Sequence, residues 1–436
     1  GPRLQKQVLG PGIGSCFCLY SCSLSPYSIL IETSSLQDDM KINTNNPLPI
    51  EGVQRVNQTT ILNSIFKKGL SSRKQISIET GLDTATVSRS VVPLIENGII
   101  EEVGMSQGAR GRGSINLDFT SSGRYFLCLR IQRRDFSVAI NNLKGEVIDT
   151  QTVDISINKS IDMTFSEIIS IMNNYFKKYK HVDGIGVAVP GPFLEFNEKI
   201  ILITENPTFQ GFDFIKSLRS EYPETPIYSI HDAKAAGISE WRYHSMKQEE
   251  GVLLYISAGQ GIGSSIVVNG VPFRGADGLA GELGHTSINI DGPKCKCGNK
   301  GCLELYASRI TLIENINQRI PKQEGFNDQK LFDFNSLLEG YLSGNMLEVE
   351  EVSKVAKYLA LGISNCINFV NPSMVVIGDE FSHFGESFLQ TIKTEVKMRL
   401  LSKTYETVEI MLSSKKNDSV LEGAFINSMT KTYLNP

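Results

Sequence analysis

His285 and three cysteines, Cys295, Cys297 and Cys302, fall within eighteen residues of one another in the stretch GELGHTSINIDGPKCKCGNKGCLE. One imidazole and three thiols form the donor set that closes a tetrahedral structural zinc site. Gly298 and Gly301 let the short loop between the later cysteines curl so that all four donors face one ion. Such a closed site has no open position for water, so it is expected to hold a loop in place and not to hydrolyse anything. The competing reading is three free or disulfide-bonded thiols gathered by chance.

The elements around this cluster begin with a helical head. Ile61, Leu62, Ile65 and Phe66 recur at helical spacing from Asn57 to about Gly69. A second short helix is expected to start at Ser71-Ser72-Arg73 and to stop at Gly81. A third follows, capped by Asp83 or Thr84, with Val87, Val91, Leu94 and Ile95 as its buried stripe. Helix, tight turn, helix predicts a helix-turn-helix whose third helix enters the major groove of DNA. Ser72, Arg73, Thr84, Thr86, Ser88 and Arg89 are the candidate contacts to phosphates and base edges. The Gly-rich stretch after Val103 predicts a β-wing, with Arg110 and Arg112 able to reach a minor groove. Local charge is balanced, so a small helical oligomerisation module is the rival for this head.

From Tyr125 onward, apolar strands, glycine turns and helical segments alternate as in an actin-like (ribonuclease H-like) two-lobed α/β fold of the ATPase type. FLCLRI and FSVAINNLKGEVI predict a hairpin, GIGVAVPGP a buried strand, PIYSIHDAKAAGISEW a strand, loop and helix. VLLYISAGQGIGSSIVVNG predicts two strands around a glycine turn. The expected organisation is a segment 1–39, a winged helix-turn-helix over 50–118 and a two-lobed body over 123–436.

The metal motif, the head and the body together resemble the ROK family of repressors and sugar kinases, over about residues 55 to 430. The head matches through Asn57, Ile61-Leu62, Ser72-Arg73, Gly81-Leu82, Thr86-Val87-Ser88 and Gly111-Arg112, with Gly113 where the family carries proline. The resemblance implies the xylose-repressor-like regulator branch. It also implies a sugar pocket in which Asn206, Asp232, Glu282, His285 and Glu304 contact the ligand, with His231 as an additional donor in place of an asparagine. The kinases of the family take a proton with an aspartate and wrap ATP phosphates with an Asp-x-Gly-Gly-Thr hairpin. Here the aspartate persists as Asp232, a vestigial base candidate, and Lys234 replaces a later asparagine. The hairpin reads Arg130-Ile131-Gln132-Arg133-Arg134, too bulky for a triphosphate. The turn Ala258-Gly259-Gln260-Gly261 stays permissive, and the glycine pair beside the adenine becomes Gly378-Asp379. Phosphoryl transfer depends on placement and electrostatics, so kinase activity is expected to be lost, with the arginines paired to carboxylates.

Composition fits this reading. The 436 residues have length for about three domains, with 41% hydrophobic and 21% charged residues. A net charge of −4 gives no general attraction to nucleic acid, so a DNA surface has to be local. Eight cysteines in a chain this long form no disulfide framework, and a cytoplasmic location is expected. No uninterrupted apolar run reaches the ~18 residues that span a bilayer. Residues 1–39 begin Gly-Pro, and Met40 opens a sequence that reads naturally. An appended or upstream-frame leader without fixed structure is expected there, a soft-metal site at Cys16, Cys18 and Cys22 being the lesser alternative.

The function expected is therefore a sugar-responsive DNA-binding transcriptional regulator, more a repressor than an activator. It would be a homodimer or dimer of dimers, with structural zinc, an operator and a sugar or sugar derivative as partners, and no membrane. A sugar kinase with a regulatory head, a regulator under a protein partner with a vestigial sugar pocket, and a redox or metal sensor are the rivals.

Overall fold

A computed structural model describes residues 50–106, 114–132, 135–155, 160–191, 193–194, 198–200, 212–244, 250–320, 333–415 and 418–435. The expected leader at 1–39, and Arg110, Arg112, Arg133, Arg134 and Asn206, lie outside these residues.

The head runs α1 (Ile50–Lys68), β1 (Ser71–Ser72), α2 (Arg73–Thr80), α3 (Thr84–Glu96), β2 (Ile100–Ser106) and β3 (Ser114–Phe119). Its strands form one sheet in the order β1-β3-β2, which is a winged helix-turn-helix arrangement. Ile61, Leu62, Ile65, Ile76, Val87, Val91 and Leu94 are all buried at its centre. Helix α1 starts at Ile50, seven residues before the expected Asn57; Val53 and Val56 on those two extra turns are exposed, so no buried stripe announced them. Gly69, at φ 75°, ends the helix as anticipated.

The first lobe contains β4 (Tyr125–Ile131), β5 (Asp135–Asn142), β6 (Val147–Asp154), α4 (Ile161–Lys178), β7 (Val182–Val189), the small pair β8 (Phe193–Leu194) and β9 (Lys199–Ile200), α5 (Phe214–Glu221) and β10 (Ile227–His231). Helix α6 (Asp232–His244) leads to the second lobe: β11 (Val252–Ala258), β12 (Ile262–Val268), β13 (Val271–Pro272), α7 (Glu304–Ala307), α8 (Arg309–Arg319), α9 (Phe334–Leu342), α10 (Met346–Val370), β14 (Met374–Gly378), α11 (Glu386–Lys397), α12 (Ser402–Thr407) and β15 (Glu409–Leu412). Helix α13 (Ser419–Met429) and a short π-turn over Thr430–Leu434 complete the chain as described.

The two lobes repeat one topology. The sheets read β10-β7-β4-β5-β6 and β13-β12-β11-β14-β15, each an antiparallel meander extended by two parallel strands beside its first strand. This duplicated arrangement is the actin-like fold. Parallel strands covered on both faces require continuous apolar runs, and β7 and β14 supply them: Ile185, Val187 and Val189 in one, Val375, Val376 and Ile377 in the other, all buried. Helices α6 and α13 pack together between the lobes; Ser419 Oγ donates to Glu240 Oε1 (3.3 Å), and Lys415, just before α13, bridges them by donating to Ser239 Oγ (2.7 Å) and Glu422 Oε2.

Among the described residues no helix is long and apolar enough to cross a membrane.

Candidate functional site

The four donors predicted from spacing converge. The ligand atoms of His285, Cys295, Cys297 and Cys302 lie within 4.8 Å of one another. Cys297 Sγ is 3.7 Å from Cys302 Sγ, and Cys295 Sγ is 3.8 Å from His285 Nδ1. An ion at about 2.3 Å from each sulfur, tetrahedrally disposed, puts two sulfurs about 3.8 Å apart, so the cluster fits such an ion. Burial and the two neighbouring thiols push the Cys302 thiol up to about 12, a cost that a divalent cation removes by stabilising thiolates. The loop is built tightly enough for this. Gly301 adopts φ 64°, and a Cβ there would fall 1.7 Å from the Asn289 carbonyl oxygen. Asn299 Nδ2 donates to the His285 carbonyl at 3.1 Å, tying the histidine to the cysteine turn.

His285 also lines the cleft between the lobes, a cavity of about 280 Å³ that it shares with His231, Asp232, Glu282 and Glu304. One imidazole thus meets the thiols through Nδ1 while its residue faces the cleft. Strand β10 delivers His231 and the first turn of α6 delivers Asp232, with no loop between them; the expected strand-loop-helix is a strand running straight into a helix. Asp232 Oδ1 accepts from the Ala233 amide at 2.6 Å and stands 3.2 Å from His231 Nε2. His231 is buried against Gly191: a Cβ on that glycine would sit 2.1 Å from Nε2. Glu304 is anchored by the Ile262 amide, which donates to Oε2 at 3.0 Å. Five of the six expected sugar-facing residues therefore share one cavity, Asn206 being outside the described residues. Carboxylates and an oriented imidazole of this kind are suited to accept hydrogen bonds from vicinal hydroxyls.

The cleft is also lined by residues that spacing did not single out, Arg309 and Glu380, and Asp418 stands behind Arg130. Arg130 pairs with Asp418, Nη1 to Oδ2, at 2.6 Å. Turned to satisfy both neighbours, the Gln132 amide donates to Asp135 Oδ1 (2.9 Å) and accepts from Arg130 Nη2 (3.1 Å). Burial weakens the Arg130 guanidinium's hold on its proton, but Asp418, Asp379 and Asp232 more than restore it, so its pKa rises. Arg309 pairs with Glu380, and its amide donates to the Gly259 carbonyl at 2.8 Å. Asp379 adopts φ 64° and ψ −160°, a backbone state that costs a non-glycine residue about 1–3 kcal/mol. Its carboxylate is held there by Ser257 Oγ (2.8 Å) and by the Glu380 amide (3.0 Å). The sequence did carry one signal for this wall: an aspartate at the second position of Gly378-Asp379.

In the head, Asp83 and not Thr84 caps α3, accepting from the Thr86 amide at 2.9 Å and the Thr86 hydroxyl at 2.6 Å. Those bonds from Thr86 lower the Asp83 carboxyl pKa. Thr84 and Arg89 are exposed, Thr86 and Ser88 half-buried, and all four lie on the first turns of α3. Ser72 departs from the expected set of DNA contacts. It is buried and serves as the N-cap of α2 in a reciprocal capping box with Gln75. Arg73 pairs with Glu102 at the base of the wing, 2.6 Å away.

The model of the ROK family matches residues 126–430. The xylose repressor of Bacillus subtilis is 28% identical over 369 residues, covering 83% of this chain and 92% of that protein. A crystal structure described as a ROK family transcriptional regulator, homologous to the Mlc protein of E. coli, covers 88% of this chain and 98% of its own at 23% identity and a TM-score of 0.73. The ROK hexokinase of Thermus thermophilus covers 70% of this chain and 98% of its own, with 21% identity and a TM-score of 0.59. The two structures share the fold, and the family match takes in both lobes, the cleft and the metal cluster. The chain belongs to the ROK family.

Proposed function

We propose that this chain is a sugar-responsive transcriptional repressor of carbohydrate-utilisation genes, which binds DNA through the head and a sugar or sugar derivative in the cleft. The observation that carries this reading is the physical joining of a winged helix-turn-helix to a cleft whose polar groups suit a polyol. Thr84, Thr86, Ser88 and Arg89 of α3 contact the operator, with Arg73, Arg110 and Arg112 as the wing-side cations. His231, Asp232, Glu282, His285 and Glu304, with Asn206, receive the sugar. The donor spacing of the His/Cys cluster supports zinc, which when bound fixes the loop between Glu282 and Glu304. The protein works in the cytoplasm as a homodimer or dimer of dimers, since a helix-turn-helix reads half-sites in pairs.

Sugar binding draws the lobes together, and α6 and α13 carry the movement to the head. Helix α6 starts at the cleft with Asp232 and meets the head through Arg242; α13 starts at its Asp418 cap, which pairs with the cleft residue Arg130, and the turn after it meets α1 at Leu434. Only a difference in sugar affinity between the two states drives this. Asp232 is a contact here and not a base, because Arg130 stands where the kinases of the family wrap phosphate. The test uses an operator fragment selected from random DNA and fluorescence anisotropy across a panel of monosaccharides. At least one sugar should change DNA affinity by about tenfold or more. DNA binding indifferent to every sugar, but altered by cell extract, would establish instead the partner-controlled regulator. With ATP added, sugar-dependent ADP formation above background would establish the kinase.

A further inference from the structure

The glycine turn between β11 and β12 is not open toward the cleft. A Cβ on Gly259 would lie 3.0 Å from Glu380 Oε2 and 3.1 Å from Asp379 Oδ2, so two carboxylates stand over the backbone that a phosphate would have to approach. Asp379 keeps its place in a left-handed backbone conformation that glycine would adopt freely, which marks the carboxylate as retained against its strain. Among the described residues the cleft wall carries six carboxylates (Asp135, Asp232, Glu282, Glu304, Asp379 and Glu380) and two guanidinium groups. Neither guanidinium stands apart from a carboxylate: Arg130 pairs with Asp418 and Arg309 with Glu380.

A sugar hydroxyl donates to a carboxylate, whereas a phosphate dianion only accepts. Beside Gly259 a phosphate ester would meet the like charge of Asp379 and Glu380, and the two guanidinium groups that could answer it are already paired with carboxylates. We infer that the effector is an unphosphorylated sugar, and that Asp379 and Glu380 are the specificity-determining residues that exclude sugar phosphates and nucleotides. The inference rests on the sugar-regulator reading above and narrows it to one chemical class.

Calorimetry on the full chain tests it with D-xylose, D-glucose, N-acetyl-D-glucosamine, D-glucose 6-phosphate and N-acetyl-D-glucosamine 6-phosphate. A free sugar should bind, and each ester should bind at least about tenfold more weakly than its parent sugar. In Asp379→Asn/Glu380→Gln the ratio of ester affinity to free-sugar affinity should rise by about tenfold or more, because two like charges leave and Arg309 is released. Glu380→Gln alone gives the same direction if the double variant folds poorly. An ester that binds the wild-type protein as tightly as its parent sugar overturns the inference and leaves the regulator reading standing. Esters excluded equally by wild type and by both variants overturn the assignment to these two residues. No heat from any sugar, free or esterified, removes the regulator reading and this inference together.

Discussion

The Arg242 guanidinium lies over the Phe66 ring, 3.7 Å from its centroid, so the last turn of α6 is joined to α1 of the head. Arg242 is half-buried, and burial lowers its pKa, so this contact is partly shielded from water, where a cation–π pair contributes about 1–2 kcal/mol. A second junction is parallel to it: Asn63 Nδ2 of α1 donates to the Leu434 carbonyl, at the end of the turn after α13, at 2.8 Å. A third holds the lobe beside the head, with Arg124 donating to the Asn97 carbonyl (3.1 Å) while pairing with Asp183 (2.6 Å).

If these junctions transmit the cleft's state, loosening one of them separates sugar binding from DNA release. Phe66→Leu keeps an apolar side chain in the head core and removes the ring face from Arg242. Sugar affinity measured by calorimetry should remain within about twofold. The sugar-induced change in operator affinity should shrink by about five- to tenfold, a loss within the usual size of coupling energies. Arg242→Lys should be intermediate. Unchanged coupling in both variants would exclude this route.

The metal cluster makes a different demand. Cys302→Ser replaces a buried thiol that sits 3.7 Å from Cys297 Sγ, and the metal content by plasma emission spectrometry should fall from about one equivalent to near zero. Loss of the ion frees the loop between Glu282 and Glu304, so sugar affinity should fall together with thermal stability, by at least about 4 °C in Tm for a loss of a few kcal/mol. Sugar binding intact in a metal-free variant would show that the loop holds itself.

What could be read in the sequence was what is local. The His/Cys donors lie in one short stretch, the apolar strands stand in uninterrupted runs, and Asp83 and Ser72 precede helices as caps do. The pairs that give the cleft and the junctions their character join distant segments: Arg130 with Asp418, Arg309 with Glu380, Asn63 with Leu434, Arg242 with Phe66. Such pairs leave no periodic trace, since each member alone reads as a solvated charge or a core ring. Ser72 shows the converse. Its type and its place at a helix start suit a phosphate contact as well as a cap, and only its burial decides for the cap.

Gly191 limits the shape of the pocket through its neighbour. The position predicted for an alanine Cβ is 2.1 Å from His231 Nε2, so Gly191→Ala must displace the imidazole. Overpacking of this kind costs about 1–3 kcal/mol, and sugar affinity should fall by about tenfold or more while operator affinity without sugar is unchanged. Gly191→Ala/His231→Asn should recover part of the loss, because the shorter amide clears the new methyl group. Equal sugar affinity in wild type and Gly191→Ala would mean that the imidazole does not shape the pocket.

Lys234 supports the same pocket from below. It is 1% exposed on α6, and its ammonium donates to the Gly278 carbonyl in the loop that leads to Glu282. A buried ammonium is retained only where its hydrogen bonds compensate for lost hydration, and the compensation here falls on the segment that positions a sugar-facing carboxylate. Lys234→Met keeps the apolar stem of the side chain and takes this donor from the Gly278 carbonyl, a change of about 1–3 kcal/mol in stability by denaturant unfolding. Sugar affinity should drop further than Tm alone explains, because the Glu282 loop loses its tether. A variant that is destabilised but binds sugar like the wild type would confine Lys234 to the core and remove it from the pocket's support.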